Sequence, residues 1–181
     1  MFKLLQRFAL YAAILGLAAC SAVTVTTDYD PSAAFDKYHT YALTPPKEGL
    51  PLSPSSEKAF RDALRNNLAA HGLREATDKV DLYVLRYVST KEKIVVYQSN
   101  DFGYDYSFGR YGAWAGVPHN YTDVSQYTEG TLIIDFVDAK TRKLVFRGIG
   151  KGTVGDPQTN AKNISEAVQK IILEFPKSNA R

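Results

Sequence analysis

Thr131-Leu132-Ile133-Ile134-Asp135-Phe136-Val137, a connector Asp138-Ala139-Lys140-Thr141-Arg142, and Lys143-Leu144-Val145-Phe146-Arg147-Gly148-Ile149-Gly150 together read as a β-hairpin. Leu132, Ile134 and Phe136 recur at the two-residue period that puts them on one face of a strand. A half-apolar face of that kind needs a cover. The chain supplies one directly downstream, where Ile164, Ala167, Val168, Ile171, Ile172 and Phe175 repeat at helical spacing before Pro176 closes the run. Lys162, Glu166, Gln169 and Lys170 form the polar side of the same helix.

The same two patterns occur upstream. Phe60, Ala63, Leu64, Leu68 and His71 make one stripe of an amphipathic helix over residues 54–71, with Ser53 as N-cap, Pro54 in the first turn and Gly72 as the stop. Alternation predicts strands at 23–29, 37–43, 81–89 and 93–99, and Pro45, Pro46, Gly49, Pro51 and Pro54 mark a connector. The glycines Gly148, Gly150, Gly152 and Gly155 read as a strand end with bulges. The expected order is β-β-α-β-β, loop, β-β-α. That order suits an α+β fold, a mainly antiparallel sheet with two helices packed on one face.

The N-terminus reads differently from the rest. Lys3 and Arg7 precede an apolar run from Phe8 to Leu17, then Leu17-Ala18-Ala19-Cys20, with Cys20 the only cysteine among 181 residues. An apolar run of that length is too short to cross a hydrocarbon core, which takes roughly 20 helical residues. The arrangement resembles a bacterial lipoprotein signal, residues 1–19, in which Cys20 becomes the acylated mature N-terminus. Residues 20–181 then form a single lipidated periplasmic domain. Ser21 and Ala22 follow the cysteine rather than an aspartate, and by the same resemblance the expected address is the outer membrane, periplasmic face. Only two or three residues separate the lipid from the first strand, a reach of about 10 Å.

Loss of Lys3 and Arg7 with the leader lowers the formal net charge from +3 to +1. A near-neutral domain has no electrostatic case for nucleic acid. With Cys20 carrying lipid, no thiol remains for a disulfide or for nucleophilic catalysis. No G-x-S-x-G elbow, zinc-binding histidine pair or phosphate loop occurs, and His39, His71 and His119 are widely separated. Asp101, Asp105, Asp123 and Glu129 are the acids that could serve glycoside hydrolysis, which needs two carboxyls across a sugar. Solvated loop acids explain them equally well. The expectation is a non-enzymatic protein without cofactor or metal.

One segment stands apart in composition, an aromatic and glycine-rich insertion at about residues 101–127. It holds Phe102, Tyr104, Tyr106, Phe108, Tyr111, Trp114, Tyr121 and Tyr127. Three readings compete: satellite core folded over the sheet, a partner surface, or a contact with lipid headgroups or glycan. Under the second, Tyr104, Tyr106, Arg110, Tyr111 and Trp114 are the candidate binding residues for an envelope protein or glycan.

Three stretches carry a family resemblance. Asp28-Tyr29-Asp30-Pro31 with Phe35-Asp36-Lys37-Tyr38-His39-Thr40-Tyr41 is the first, and Asp81-Leu82-Tyr83-Val84-Leu85-Arg86-Tyr87 the second. Gly130-Thr131-Leu132-Ile133-Ile134-Asp135 with Leu144-Val145-Phe146-Arg147-Gly148 is the third. In this order, behind the cysteine, they resemble the bacterial lipoproteins grouped as domain of unknown function 4136. The resemblance implies a lipidated α+β domain and assigns no activity. The functional expectation is therefore an outer-membrane-anchored binding or envelope-structural module. The alternatives are a small hydrolase of envelope glycan, or a chaperone for an acyl chain or a partner's strand, which would need an apolar cavity between helices and sheet.

Overall fold

Apolar residues at every second position build the centre of a six-stranded sheet, and two amphipathic helices cover one side of it. The computed structural model describes residues 23–45, 49–101 and 119–176. In chain order these form β1 (Val23–Tyr29), a 3-10 turn (Phe35–Lys37), β2 (Thr40–Leu43), α1 (Pro54–Ala70) and β3 (Arg74–Glu75). Then follow β4 (Leu82–Asp101), β5 (His119–Asp138), β6 (Leu144–Thr153) and α2 (Pro157–Leu173). The sheet order is β1-β6-β5-β4-β2-β3.

The sheet is mixed. Its antiparallel part, β1-β6-β5-β4, matches the expectation, but β2 runs parallel to both β3 and β4. The cause lies in the connection: α1 separates β2 from its neighbours, and a helical crossover returns the chain in the same direction. β3, two residues long, is too short for any alternation to show. The second strand starts at Thr40 rather than Lys37, because residues 35–37 take the 3-10 turn.

The largest departure is in the middle of the chain. Separate strands at 81–89 and 93–99 are one continuous β4, and β5 begins at His119 instead of Thr131. The charged Lys91-Glu92-Lys93 reads as a break in sequence but sits within the ladder, where Lys93 Nζ lies 3.6 Å from Glu129 Oε1 across the strands.

Both helices begin with a capped proline. Ser53 Oγ accepts from the Ser56 N–H at 3.3 Å, and Asp156 Oδ1 accepts from Gln158 and Thr159 N–H groups at 2.9 and 3.0 Å. Phe60, Leu64 and Leu68 of α1 and Val168, Ile171 and Ile172 of α2 are fully buried against Leu82, Val84, Ile134, Phe136 and Phe146 of the sheet. Just past α2, Phe175 closes one end of this core, with ring centroids 4.9 Å from Phe136, 5.0 Å from Phe146 and 5.4 Å from Phe35. Buried side chains of this size each contribute about 1.5–3 kcal/mol.

Two carboxylates, Asp81 of the second resembling stretch and Asp138 of the hairpin connector, hold the backbone. Asp81 Oδ2 accepts from the N–H groups of His39 and Thr40 at 3.0 and 3.1 Å and from Thr40 Oγ1 at 3.0 Å, fixing the start of β2. Asp138 Oδ1 accepts from the Lys140 and Thr141 N–H groups in the hairpin turn, and its Oδ2 from the Tyr38 hydroxyl at 2.9 Å. Burial pushes the Asp81 carboxyl up, but the bonds from His39 and Thr40 outweigh it and leave its pKa below the usual value. The Thr141 N–H does most to hold Asp138 low as well.

Because both folded pKa values lie below their unfolded ones, the stability they contribute is present at neutral pH. It is lost as pH falls below about 4, where the unfolded state takes up protons first. Asp81→Asn is expected to cost about 1–2 kcal/mol at pH 7 and to flatten the acid limb of the stability profile. Urea denaturation at a series of pH values reads both effects. An unchanged acid limb would mean that Asp81 is not a titrating clamp.

Candidate functional site

Glycines on the helix-facing side of the sheet create a concavity. In the β5–β6 ladder Gly130 stands opposite Gly152, and Gly150 opposite Leu132, so a patch of the sheet floor carries no side chains. These glycines are ordinary ladder positions: the one register irregularity between these strands lies at Phe136/Val137, which corrects the expectation of bulges at the glycines. At Gly148 and Gly150 the missing side chains let α2 approach. A Cβ on Gly148 would lie 2.1 Å from Ile171 Cγ2, and one on Gly150 would lie 2.9 Å from the Ala167 Cβ.

Further along β6, where the helices begin, the bare floor stays uncovered. A cavity of about 210 Å³ remains there, walled by Val23, Leu52, Val88, Leu132, Ile164 and Ala167. Residues 49–52 form its side by crossing β4, where the Leu50 N–H donates to the Val88 carbonyl at 2.9 Å. Gly49 makes the crossing possible, with φ +97° and no room for a side chain, since a Cβ would lie 2.8 Å from the Val88 oxygen. Leu50 and Val154 also line the cavity and are 49% and 38% exposed, which makes an apolar rim.

Two asparagines of α2 at the cavity are bonded to backbone. The Asn160 side chain accepts from the Gly155 N–H at 2.8 Å and donates to the Gly155 carbonyl at 2.9 Å, and Asn163 Nδ2 donates to the Thr153 carbonyl at 3.2 Å. What remains is a hollow suited to an apolar group. The sequence signal was the glycine spacing itself, legible only once α2 is known to lie across it.

The second feature is a ribbon. Val23, Gly152, Gly130 and Thr90 form one row across β1, β6, β5 and β4. Past Thr153 only β4 and β5 continue, residues 92–101 pairing with 119–128 out to Asp101 opposite His119. The ribbon is roughly 30 Å long at strand rise. Among the described residues neither edge has a neighbouring strand there, and Ile94 on it is 65% exposed.

The expected site residues fall as follows. Cys20, Tyr104, Tyr106, Arg110, Tyr111 and Trp114 lie outside the described residues. Of these, the residues from Tyr104 to Trp114 belong to the connection between β4 and β5. Of the candidate acids, Asp105 is also outside, Asp101 and Asp123 stand on the ribbon opposite His119 and Tyr97, and Glu129 pairs with Lys93. His39 is exposed at the start of β2, and His71 caps α1 with its ring edge-on to Phe175 at 6.1 Å. Among the described residues no group of three or more His, Cys, Asp or Glu could hold a metal ion, and no helix is long and apolar enough to cross a membrane.

Solved structures share the fold. A PDZ domain protein from Parabacteroides distasonis is 12% identical with a TM-score of 0.55, over 94% of this chain but only 40% of that one. A DUF4136 family protein from Bacteroides thetaiotaomicron is 18% identical with a TM-score of 0.53, over 88% of this chain and 99% of that one. No curated protein matches the sequence. A family model matches residues 25–177, nearly the whole of the sheet and helices described above, and on that match the chain belongs to the domain of unknown function family DUF4136.

Proposed function

We propose that this protein is a lipid-anchored binding module of the bacterial outer membrane, non-enzymatic and facing the periplasm, which presents residues 102–118 to an envelope protein or glycan. The observation that carries the reading is the shared row at Val23, Gly152, Gly130 and Thr90. The chain enters the sheet from Cys20 at that row, and the β4–β5 ribbon leaves the sheet at the same row. The anchor and the ribbon therefore stand at one end of the domain. With a tether of about 10 Å, that end is held at the membrane surface.

A two-stranded ribbon is marginally stable by itself in water, and a bound partner offsets that cost. The segment it carries holds Phe102, Tyr104, Tyr106, Phe108, Tyr111 and Trp114, the residue types that concentrate binding energy at protein and glycan contacts. Replacing Tyr104, Tyr106, Tyr111 and Trp114 together by alanine is expected to abolish in vivo crosslinking to the partner with the circular dichroism spectrum unchanged. Arg110→Ala should weaken capture in the same assay. An identical crosslinking pattern in the fourfold variant overturns the reading. Turnover of an envelope glycan by the purified protein, lost in Asp105→Asn or Asp123→Asn, would make it a hydrolase instead.

A further inference from the structure

The cavity over the bare glycine floor lies where the chain enters the sheet at Val23. We infer that the groove holds the end of one acyl chain carried by the protein's own Cys20 whenever that lipid is in water rather than in a bilayer. The inference rests on acylation of Cys20.

Val23 is part of the groove wall, with 4% of its surface exposed, and only Ser21 and Ala22 lie between it and Cys20. At 3.3–3.6 Å per residue the acylated sulfur stays within about 10 Å of that wall. A tether this short makes the chain's own lipid the apolar group at the highest local concentration beside the groove.

Size and chemistry agree. About 210 Å³ is more than the roughly 150 Å³ apolar cavity that takes up benzene, and it fits the end of a single chain rather than a whole lipid. The wall is mostly aliphatic, with Ser56 and Thr90 among its polar residues; Asn160 and Asn163 of α2 bond to backbone instead of facing a headgroup, and the exposed Leu50 and Val154 form an apolar entry. A methylene gains as much from a bilayer as from a protein interior, so the groove competes with water and releases the chain to a membrane. It would shield the lipid during passage between membranes.

The test uses the full lipidated protein with a diazirine analogue of leucine at position 164, and in a second preparation at position 52 on the opposite wall. Irradiation in dilute, micelle-free solution is expected to join the probe to the acylated Cys20 peptide of the same molecule. The yield should drop roughly tenfold on vesicles of phosphatidylethanolamine and phosphatidylglycerol. It should drop by a similar factor in Gly152→Val and in Thr90→Leu, which put apolar bulk at two positions that line the groove.

Mass spectrometry separates the ways of failing. An acylated Cys20 with no intramolecular product at either position in micelle-free solution overturns this inference alone. A yield that survives both filling substitutions overturns it too. An unmodified Cys20 overturns the inference together with the anchoring on which it rests.

Discussion

Gly148→Val is expected to lower stability by about 3 kcal/mol, the upper end of what an overfilled core loses. The position has no slack: even a single Cβ would stand 2.1 Å from Ile171 Cγ2 and about 3 Å from two more atoms of that side chain. Ile171 cannot swing aside, because it is fully buried between the sheet and α1. Either α2 lifts off β6, which strips contacts along the helix, or the strand buckles. Chemical denaturation measures the loss, and a cycle with Ile171→Ala assigns it. The two substitutions together should cost less than their sum by 1–2 kcal/mol or so, because truncating Ile171 makes room for the new side chain. If Gly148→Val is as stable as the parent, the glycine does not set the spacing between helix and sheet.

The second large effect concerns a charge inside the helix–sheet interface. Arg86 on β4 is 5% exposed, stacks its guanidinium over the Phe60 ring at 4.9 Å and pairs with Glu57 in the first turn of α1. Glu57 in turn accepts from Arg61 at 2.7 Å, and its own side chain is 29% exposed. Burial pushes the Glu57 carboxyl up, but Arg86 and Arg61 more than reverse this and hold it below the ordinary glutamate value. Glu57→Ala leaves the buried guanidinium without its carboxylate and should cost about 3 kcal/mol.

Arg86→Met removes the charge and keeps an apolar stem of similar length over Phe60, so it should be near neutral or even stabilising. Equal losses for the two variants would show that the arginine contributes through packing rather than through avoidance of an unpaired charge. Urea unfolding of both variants at neutral pH decides the matter.

Elements with strong periodicity were readable from the chain alone. The stripe Phe60, Ala63, Leu64, Leu68 and the repeat ending at Ile172 place both helices on the sheet face where the structure has them. The N-terminal turns of α2 were less legible, since Gln158, Thr159 and Asn160 carry no apolar stripe, although Asp156-Pro157 is a capping signal. What the local pattern could not show was pairing at a distance. Parallel placement of β2 beside β4 depends on where a 17-residue helix sends the chain, not on any residue in either strand. The ribbon was hidden because Lys91, Glu92 and Lys93 look like a solvated turn, and cross-strand pairing with Glu129 becomes visible only in register. The groove was hidden for a related reason: glycine announces missing side chains, and only the fold decides whether a helix or an empty space lies above them.

β1 has a consequence for the order in which the chain assembles. Among the described residues its ladder partner is β6, residues 23–29 pairing with 146–152, whereas β4, β5 and β6 close through sequence neighbours. Loop-closure entropy disfavours such a long-range pairing until the intervening chain has collapsed, and so the first strand docks late. On synthesis from the N-terminus, β1 emerges first and then waits for nearly all of the remaining sequence. The first strand is thus the latch of the domain, closed only when the rest of the sheet has formed.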